Sequence, residues 1–273
     1  MSYDLATMSL VLTSADHDNL CHGWSWQIAD EEALVDQVAR VSLSQYRHVE
    51  KILAGLNTRN PTTNAELVAD AIAKLSPDAD GSTWRRDGWL FQIISWIAAH
   101  HKKGGAVIRA PHIRKADHGF DGLQLDLSDD GTSVTAVVLS EDKATDNPRN
   151  TITSKVWPEI SKLEEGERIT ELSHDATVLL STQLDVFSGE HIEQAIEDII
   201  WKDARRFRVS VTVKDEHEAE DARRALFVGY DERAGGDVVR RRAETMCIPD
   251  LREWMQHFSD RVAARIAELA PNV

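Results

Sequence analysis

The sequence predicts an α/β fold: a mixed central sheet flanked by helices, preceded by a mainly helical N-terminal part. Three observations carry this. Apolar residues recur at helical spacing between residues 31 and 100 and again near the C-terminus. Short apolar or alternating runs of strand length follow one another between residues 106 and 139. From residue 151 onward, helix-like and strand-like stretches alternate, the pattern of a sheet wrapped by helices.

Taken in order, Glu31 to Leu56 reads as a helix, because Leu34, Val38, Val41, Tyr46, Val49, Ile52 and Leu53 recur near helical spacing before Gly55 and Asn57. Asn64 is positioned as an N-cap for a second helix over Ala65 to Leu75, which Ser76 and Pro77 stop. The turn-rich stretch Pro77 to Ser82 is the expected boundary of a mainly helical N-terminal region, residues 1–80. From Thr83 a helix carries Trp84, Trp89, Leu90, Phe91, Ile93, Ile94, Trp96 and Ile97, apolar on most of its circumference and so expected to be buried. Ala106 to Arg109, Leu123 to Leu127 and Val134 to Leu139 read as strands, Thr151 to Leu163 as a helix and Ala176 to Ser181 as a buried strand. Gly189 to Arg206 reads as a helix. Phe207 to Val213 reads as a strand with Arg208, Ser210 and Thr212 on its wetter face, and Ala219 to Gly229 and Asp250 to Leu269 are closing helices.

The chain of 273 residues has a formal net charge of −15, with 31 Lys and Arg against 46 Asp and Glu. Broad electrostatic attraction to nucleic acid is therefore excluded, and any such contact must come from a local basic patch or a partner. Cys21 and Cys247 cannot build a disulfide scaffold. No run approaches the roughly 18 apolar residues of a membrane span, and no basic leader precedes the first apolar run. The expectation is a cytoplasmic protein that does not engage a membrane.

The chemistry-bearing stretch is Phe120-Asp121-Gly122, the strand after it, a turn at Asp129-Asp130-Gly131, and a strand ending in Ser140-Glu141-Asp142-Lys143. A two-residue turn would set Asp121 opposite Ser140 and send Glu141 to the other face. A three-residue loop or one bulge pairs Asp121 with Glu141, Leu123 with Leu139 and Leu125 with Val137, and puts Lys143 on the same face. Sequence alone leaves both registers open, and only the second gathers the three polar residues. Two hard carboxylates then suit Mg²⁺, which stabilises charge on a phosphate and can acidify a bound water. Beside two acids the ammonium of Lys143 is favoured, so its expected role is electrostatic support. Acids and lysines at strand ends are also common as solvated termini; the adjacent apolar strands between helices single these out.

The order of helix, three strands and helix with this Asp, Glu-x-Lys pattern resembles the PD-(D/E)XK nuclease superfamily. Within it, Phe120-Asp121-Gly122 and Ser140 to Thr145 are similar to the DUF1837 group, the nuclease subunits of Hachiman anti-phage defence. The resemblance covers roughly residues 84–182. It implies a restriction-endonuclease-like core within a domain over residues 81–273 that includes the C-terminal helices. It also implies a metal-dependent deoxyribonuclease using Mg²⁺, with Mn²⁺ as a substitute, and a helicase as partner. Asp121 and Glu141 would be metal ligands, Lys143 the motif lysine and Asp87 an additional acid. The sequence departs from the motif in carrying Phe120 in place of proline and acidic Asp142 between Glu141 and Lys143, the latter expected to face away from the metal.

Arg109, His112, Arg114, Lys115 and His118 form a basic loop leading into Asp121 and are the favoured substrate-facing patch. Arg149 and Lys155, with Lys162, are further candidates for phosphate contact. Arg240-Arg241-Arg242 reads equally as a nucleic-acid patch, a salt-bridged surface or a partner contact. The competing functional class is a non-catalytic interaction module, which the net acidity favours.

Overall fold

The computed structural model describes residues 8–102, 105–112, 119–182, 189–199 and 202–270. Seven strands form one mixed sheet in the order β1-β2-β7-β6-β5-β4-β3. These are β1 (Leu10–Asp16), β2 (His22–Ile28), β3 (Val107–Ile108), β4 (Gly122–Leu127), β5 (Val134–Lys143), β6 (Arg205–Val213) and β7 (Arg241–Cys247). The edges are antiparallel, β1 on β2 and β3-β4-β5, while β5, β6, β7 and β2 run parallel. The α/β class and the sequence of helix, antiparallel meander, helices and parallel strand are as expected.

Helices cover both faces. On one lie α1 (Glu31–Ser42), α2 (Tyr46–Leu53), α3 (Ala65–Leu75), α4 (Trp84–His100) and α11 (Leu251–Leu269). Their buried Leu34, Val38, Phe91, Ile94 and Phe258 pack with Leu10, Trp26 and Met246 of the sheet. On the other face, a second core joins Leu123, Val137, Leu139, Phe207, Val209 and Val211 to Ile152, Trp157, Ile160, Leu172 and Ala176. Those last five come from a π turn (Ile152–Val156), α6 (Trp157–Glu164) and α7 (Ile169–Ser181), which α5 (Pro148–Thr151) precedes and α8 (Gly189–Ile199) follows. Pro158 explains the π turn: it has no N–H to give Ser154, and its ring would crowd that carbonyl in a regular α-helix.

Several expectations are corrected. The N-terminal part is not simply helical, because β1 and β2 belong to the common sheet, and α1 and α3 pack on α11 from the other end of the chain. The helix expected over residues 31–56 breaks after Ser42, where Ser44 takes a positive φ of 60°. Ala176 to Ser181 is the end of α7 and not a strand; Leu172, Ala176, Leu179 and Leu180 face the core while Val178 is exposed, a helical period. The helix from Gly189 ends at Ile199, and β6 begins at Arg205. Arg208, Ser210 and Thr212 are buried, since α4 covers the face expected to be wet.

Strand β7 was hidden by its charges. Arg241 is buried yet satisfied, donating to the carbonyls of Leu20, Asn19 and Ala234 at 2.7, 2.7 and 2.8 Å. Arg240 is buried against Glu164 at 2.6 Å, so the arginine run is largely structural. Beside β7, Gly23 is required by close approach: a Cβ there would collide with the Ala243 carbonyl of the neighbouring strand.

Candidate active site

The register that unites the site is the one found. Leu123 pairs with Leu139 and Leu125 with Val137, and a bulge lies between Asp126 and Leu127. Near the turn, Leu127 pairs with Val134; then Asp126 pairs with Ala136, leaving Thr135 as the extra residue. The pairing therefore starts as a tight hairpin would set it and is shifted by one residue before it reaches the site.

Asp121 immediately precedes β4, and its carboxylate is closely held. Gln92 of α4 donates to Oδ1 at 2.6 Å; the backbone N–H of Asp142 and Nζ of Lys143 donate to Oδ2 at 2.9 and 2.5 Å. The same Nζ lies 2.9 Å from Oε2 of Glu141. Asp121, Glu141 and Lys143 are thus a single cluster on the face that carries α6 and α7, with side chains 16%, 13% and 24% exposed. The backbone entering Asp121 is fixed too: Arg109 and His112 both reach the Phe120 carbonyl, at 2.5 and 2.6 Å. At Gly122 a Cβ would stand only 3.0 Å from Cβ of Ser140, so a larger residue would push the strand start away from β5.

Burial pushes the Glu141 carboxyl up to about 7; Lys143 opposes this and Asp121 adds to it. Burial alone would lower the Lys143 ammonium, but the two acids outweigh it and hold its pKa above the ordinary range. Two acids therefore share one cation in a mostly buried place. Asp121 and Glu141 fit a hard divalent ion on that ground: both are oxygen donors, both converge on one point, and their combined charge is not matched by Lys143.

Asp142 points to the opposite face, as expected, and is itself buried. It accepts from Ser95 of α4 at 2.6 Å; Ser95 in turn accepts from Arg208 at 2.9 Å, and Arg208 donates to Glu244 at 2.7 Å. Burial pushes Asp142 up to about 6, with Arg208 opposing.

Asp87 does not join the cluster. Its carboxylate is fully buried between Arg86, at 2.8 Å, and Arg252, at 2.6 Å, and lies five residues before Gln92 on another side of α4. Among the described residues no group of three or more His, Cys, Asp or Glu side chains is arranged to hold a metal, so the carboxylate set here is a pair. Arg109 forms an ion pair with Asp175 as well as holding Phe120, which makes it a positioning residue and not a free phosphate contact. Arg149 donates to the carbonyls of Leu226 and Val228 at 2.7 and 2.9 Å and ties the end of α9 (Glu220–Leu226), which α10 (Tyr230–Arg233) follows, to α5. Lys155 is exposed on the π turn. Arg114 and Lys115 lie outside the described residues.

Three residues at the site were not singled out from sequence. Gln92 and Ser95 are polar interruptions one turn apart on the otherwise apolar α4, a signal available in the sequence. Arg168 stacks 4.3 Å from the ring centroid of Phe120 and pairs with Glu171 at 2.7 Å, and Glu141 is among the acids that raise its pKa after Glu171 and Glu159. Its left-handed backbone, φ 61°, is what no sequence pattern announced. No protein-family model matches this sequence, and a search of curated proteins returns no match.

Proposed function

We propose that this protein is a metal-dependent nuclease that hydrolyses DNA phosphodiester bonds, acting as the effector of a bacterial anti-phage defence system under the control of a helicase partner. The observation that carries the chemistry is the convergence of Asp121 and Glu141 on Lys143, two partly buried acids with one shared cation. The biological setting rests on the resemblance of residues 84–182 to Hachiman nuclease subunits.

In this reading Asp121 and Glu141 hold Mg²⁺, or Mn²⁺ in its place. When bound, the ion supplies charge stabilisation at the phosphate and an acidified water. Gln92 and the Asp142 amide keep Asp121 in one orientation, which pre-pays the positioning that the reaction needs. Lys143 remains an ammonium and offers charge and hydrogen bonds, not a base. The net charge of −15 gives the free chain little hold on DNA, so loading by a partner fits the molecule.

A second reading, a non-catalytic interaction module, is favoured by a specific observation: Arg109 and Arg149, two of the candidate phosphate contacts flanking the motif, are engaged within the chain. Plasmid cleavage with Mg²⁺ or Mn²⁺ decides between them, assayed with and without the helicase. Cleavage by the wild type that disappears in the Glu141→Ala, Lys143→Ala double variant supports the nuclease; equal cleavage by both removes the assigned site; no cleavage under either condition supports the module.

A further inference from the structure

The sheet face under α4 is covered only as far as that helix reaches. Beyond its end at His100, the starts of β6, β7 and β2 leave Arg206, Arg242 and Trp24 half-buried and open to one side, with Lys102 exposed above them. The register places these side chains together. Arg206 and Arg208 lie two apart on β6, Arg208 pairs with Arg242 on β7, and Glu244, two residues on, pairs with Trp24 on β2. The guanidinium carbon of Arg242 is 5.2 Å and the Nζ of Lys102 5.9 Å from the Trp24 ring centroid.

The charges do not balance. Asp126 holds Arg206 at 2.8 Å and Glu244 holds Arg208 at 2.7 Å. Those two acids, with Asp142, which reaches Arg208 through Ser95, face four cations. Among the described residues the side chains of Arg242 and Lys102 have neither an acid within ion-pair distance nor a hydrogen-bond partner, and Nε of Arg242 is buried without one. Burial lowers the Arg242 pKa; Glu244 and Asp126 oppose this, while Arg208 and Arg206 add to it. A cation over an indole gains electrostatic attraction from the ring, but the ring does not accept the five N–H donors of a guanidinium in the way an oxyanion does. Arg242 and Lys102 thus both stand over one indole with no acid within ion-pair distance.

We propose that Arg242 and Lys102, both set over Trp24, form a phosphate-binding site for a nucleic-acid strand, on the sheet face opposite the Asp121, Glu141 and Lys143 cluster. Arginine matches a phosphate through paired N–H donors, and an indole offers a stacking surface to a neighbouring base. Arg208, the residue in register with Arg242, stands three residues before Val211, the residue in register with Lys143, which is about 10 Å along the strand. A strand could therefore be gripped at a distance from the place where it is cut. The choice of nucleic acid as the phosphate carrier rests on the nuclease reading; the anion site rests only on the charges and geometry above.

The test is fluorescence anisotropy of a labelled single-stranded 20-mer oligonucleotide with the full chain in EDTA, so that no metal-dependent cleavage intervenes. Arg242→Gln is expected to raise Kd about tenfold and Lys102→Gln about threefold, each lowering the salt dependence of binding by about one charge. Arg242→Lys should recover part of the loss. Thermal melting confirms that each variant is folded, and Lys102, being exposed, can be changed without touching the core. Absent wild-type binding, or equal Kd values for wild type and the folded Arg242→Gln and Lys102→Gln variants, would overturn the proposal. Tight binding of a free mononucleotide or pyrophosphate with no binding of the strand would overturn it as well. Because this measurement needs neither metal nor cleavage, an inactive chain that still binds DNA through Arg242 would sink the nuclease reading and leave this one standing.

Discussion

Strand β5 shows two fates of a buried acid, one on each face, in consecutive residues. Asp142 turns toward α4 and finds its charge answered: Ser95 donates to it, Arg208 stands behind Ser95, and Glu244 completes the chain. Glu141 turns the other way, toward Asp121, and the two share Lys143 alone. Each face thus sets two acids against one cation, and what differs is closure. The first arrangement is sealed under α4 with every side chain buried and acts as internal scaffolding; the second stays partly open, with side chains 13–24% exposed, and uncancelled charge in a partly open place is what a ligand can relieve.

The sharpest way to break this contrast is to unbalance the scaffolding side. Arg208→Met leaves Glu244 and Asp142 buried without their guanidinium, and is expected to cost about 3–5 kcal/mol in urea unfolding; a loss below 1 kcal/mol would mean that the network is not structural. On the other face the expected effect is on rate and not on stability. Glu141→Ala should lower metal-dependent cleavage at least a hundredfold, about 2.7 kcal/mol in barrier, while its melting temperature stays at or above that of the wild type, because one of two crowded acids is gone. Smaller still is the response to metal: Mg²⁺ at ten times its Kd should stabilise the wild type by about 1.4 kcal/mol and leave Asp121→Asn unaffected, as read by melting with and without the ion. Least is expected of Asp142→Asn, which keeps a hydrogen-bonding group for Ser95 and should change cleavage by less than about threefold. A hundredfold loss there would merge the two faces into one site.

Much of this was legible in residues whose spacing is local. Asn64 caps α3 by accepting from the Leu67 N–H at 2.8 Å, as its position before Ala65 implies. The pairing of Leu123 with Leu139 followed from asking which register brings three polar residues together. What stayed hidden depended on distant partners. Strand β7 looks too charged to be central until Arg241 is seen to serve carbonyls some 220 residues away, with a sequence separation of 222 to Asn19. Arg109 and Arg149 look like free cations because sequence does not tell whether a carbonyl or an acid will claim them. Asp87 likewise reads as a possible ligand until Arg252, from the last helix, is found against it. The short apolar run Ala176 to Ser181 fits strand or helix equally, and only the exposure of Val178 tells them apart.

The bulge at Thr135 separates two quantities that a plain hairpin would tie together. Loop length and alignment of the carboxylates are independent here, since the one-residue shift is made inside the ladder and not in the exposed turn over residues 128–133. An epitope or a fluorophore could be spliced beside Gly131 at little thermodynamic cost, giving a reporter position on the hairpin that leads from Asp121 to Glu141. Deleting Thr135 alone would remove the offset that sets Asp121 beside Glu141, a frame error written in three dimensions.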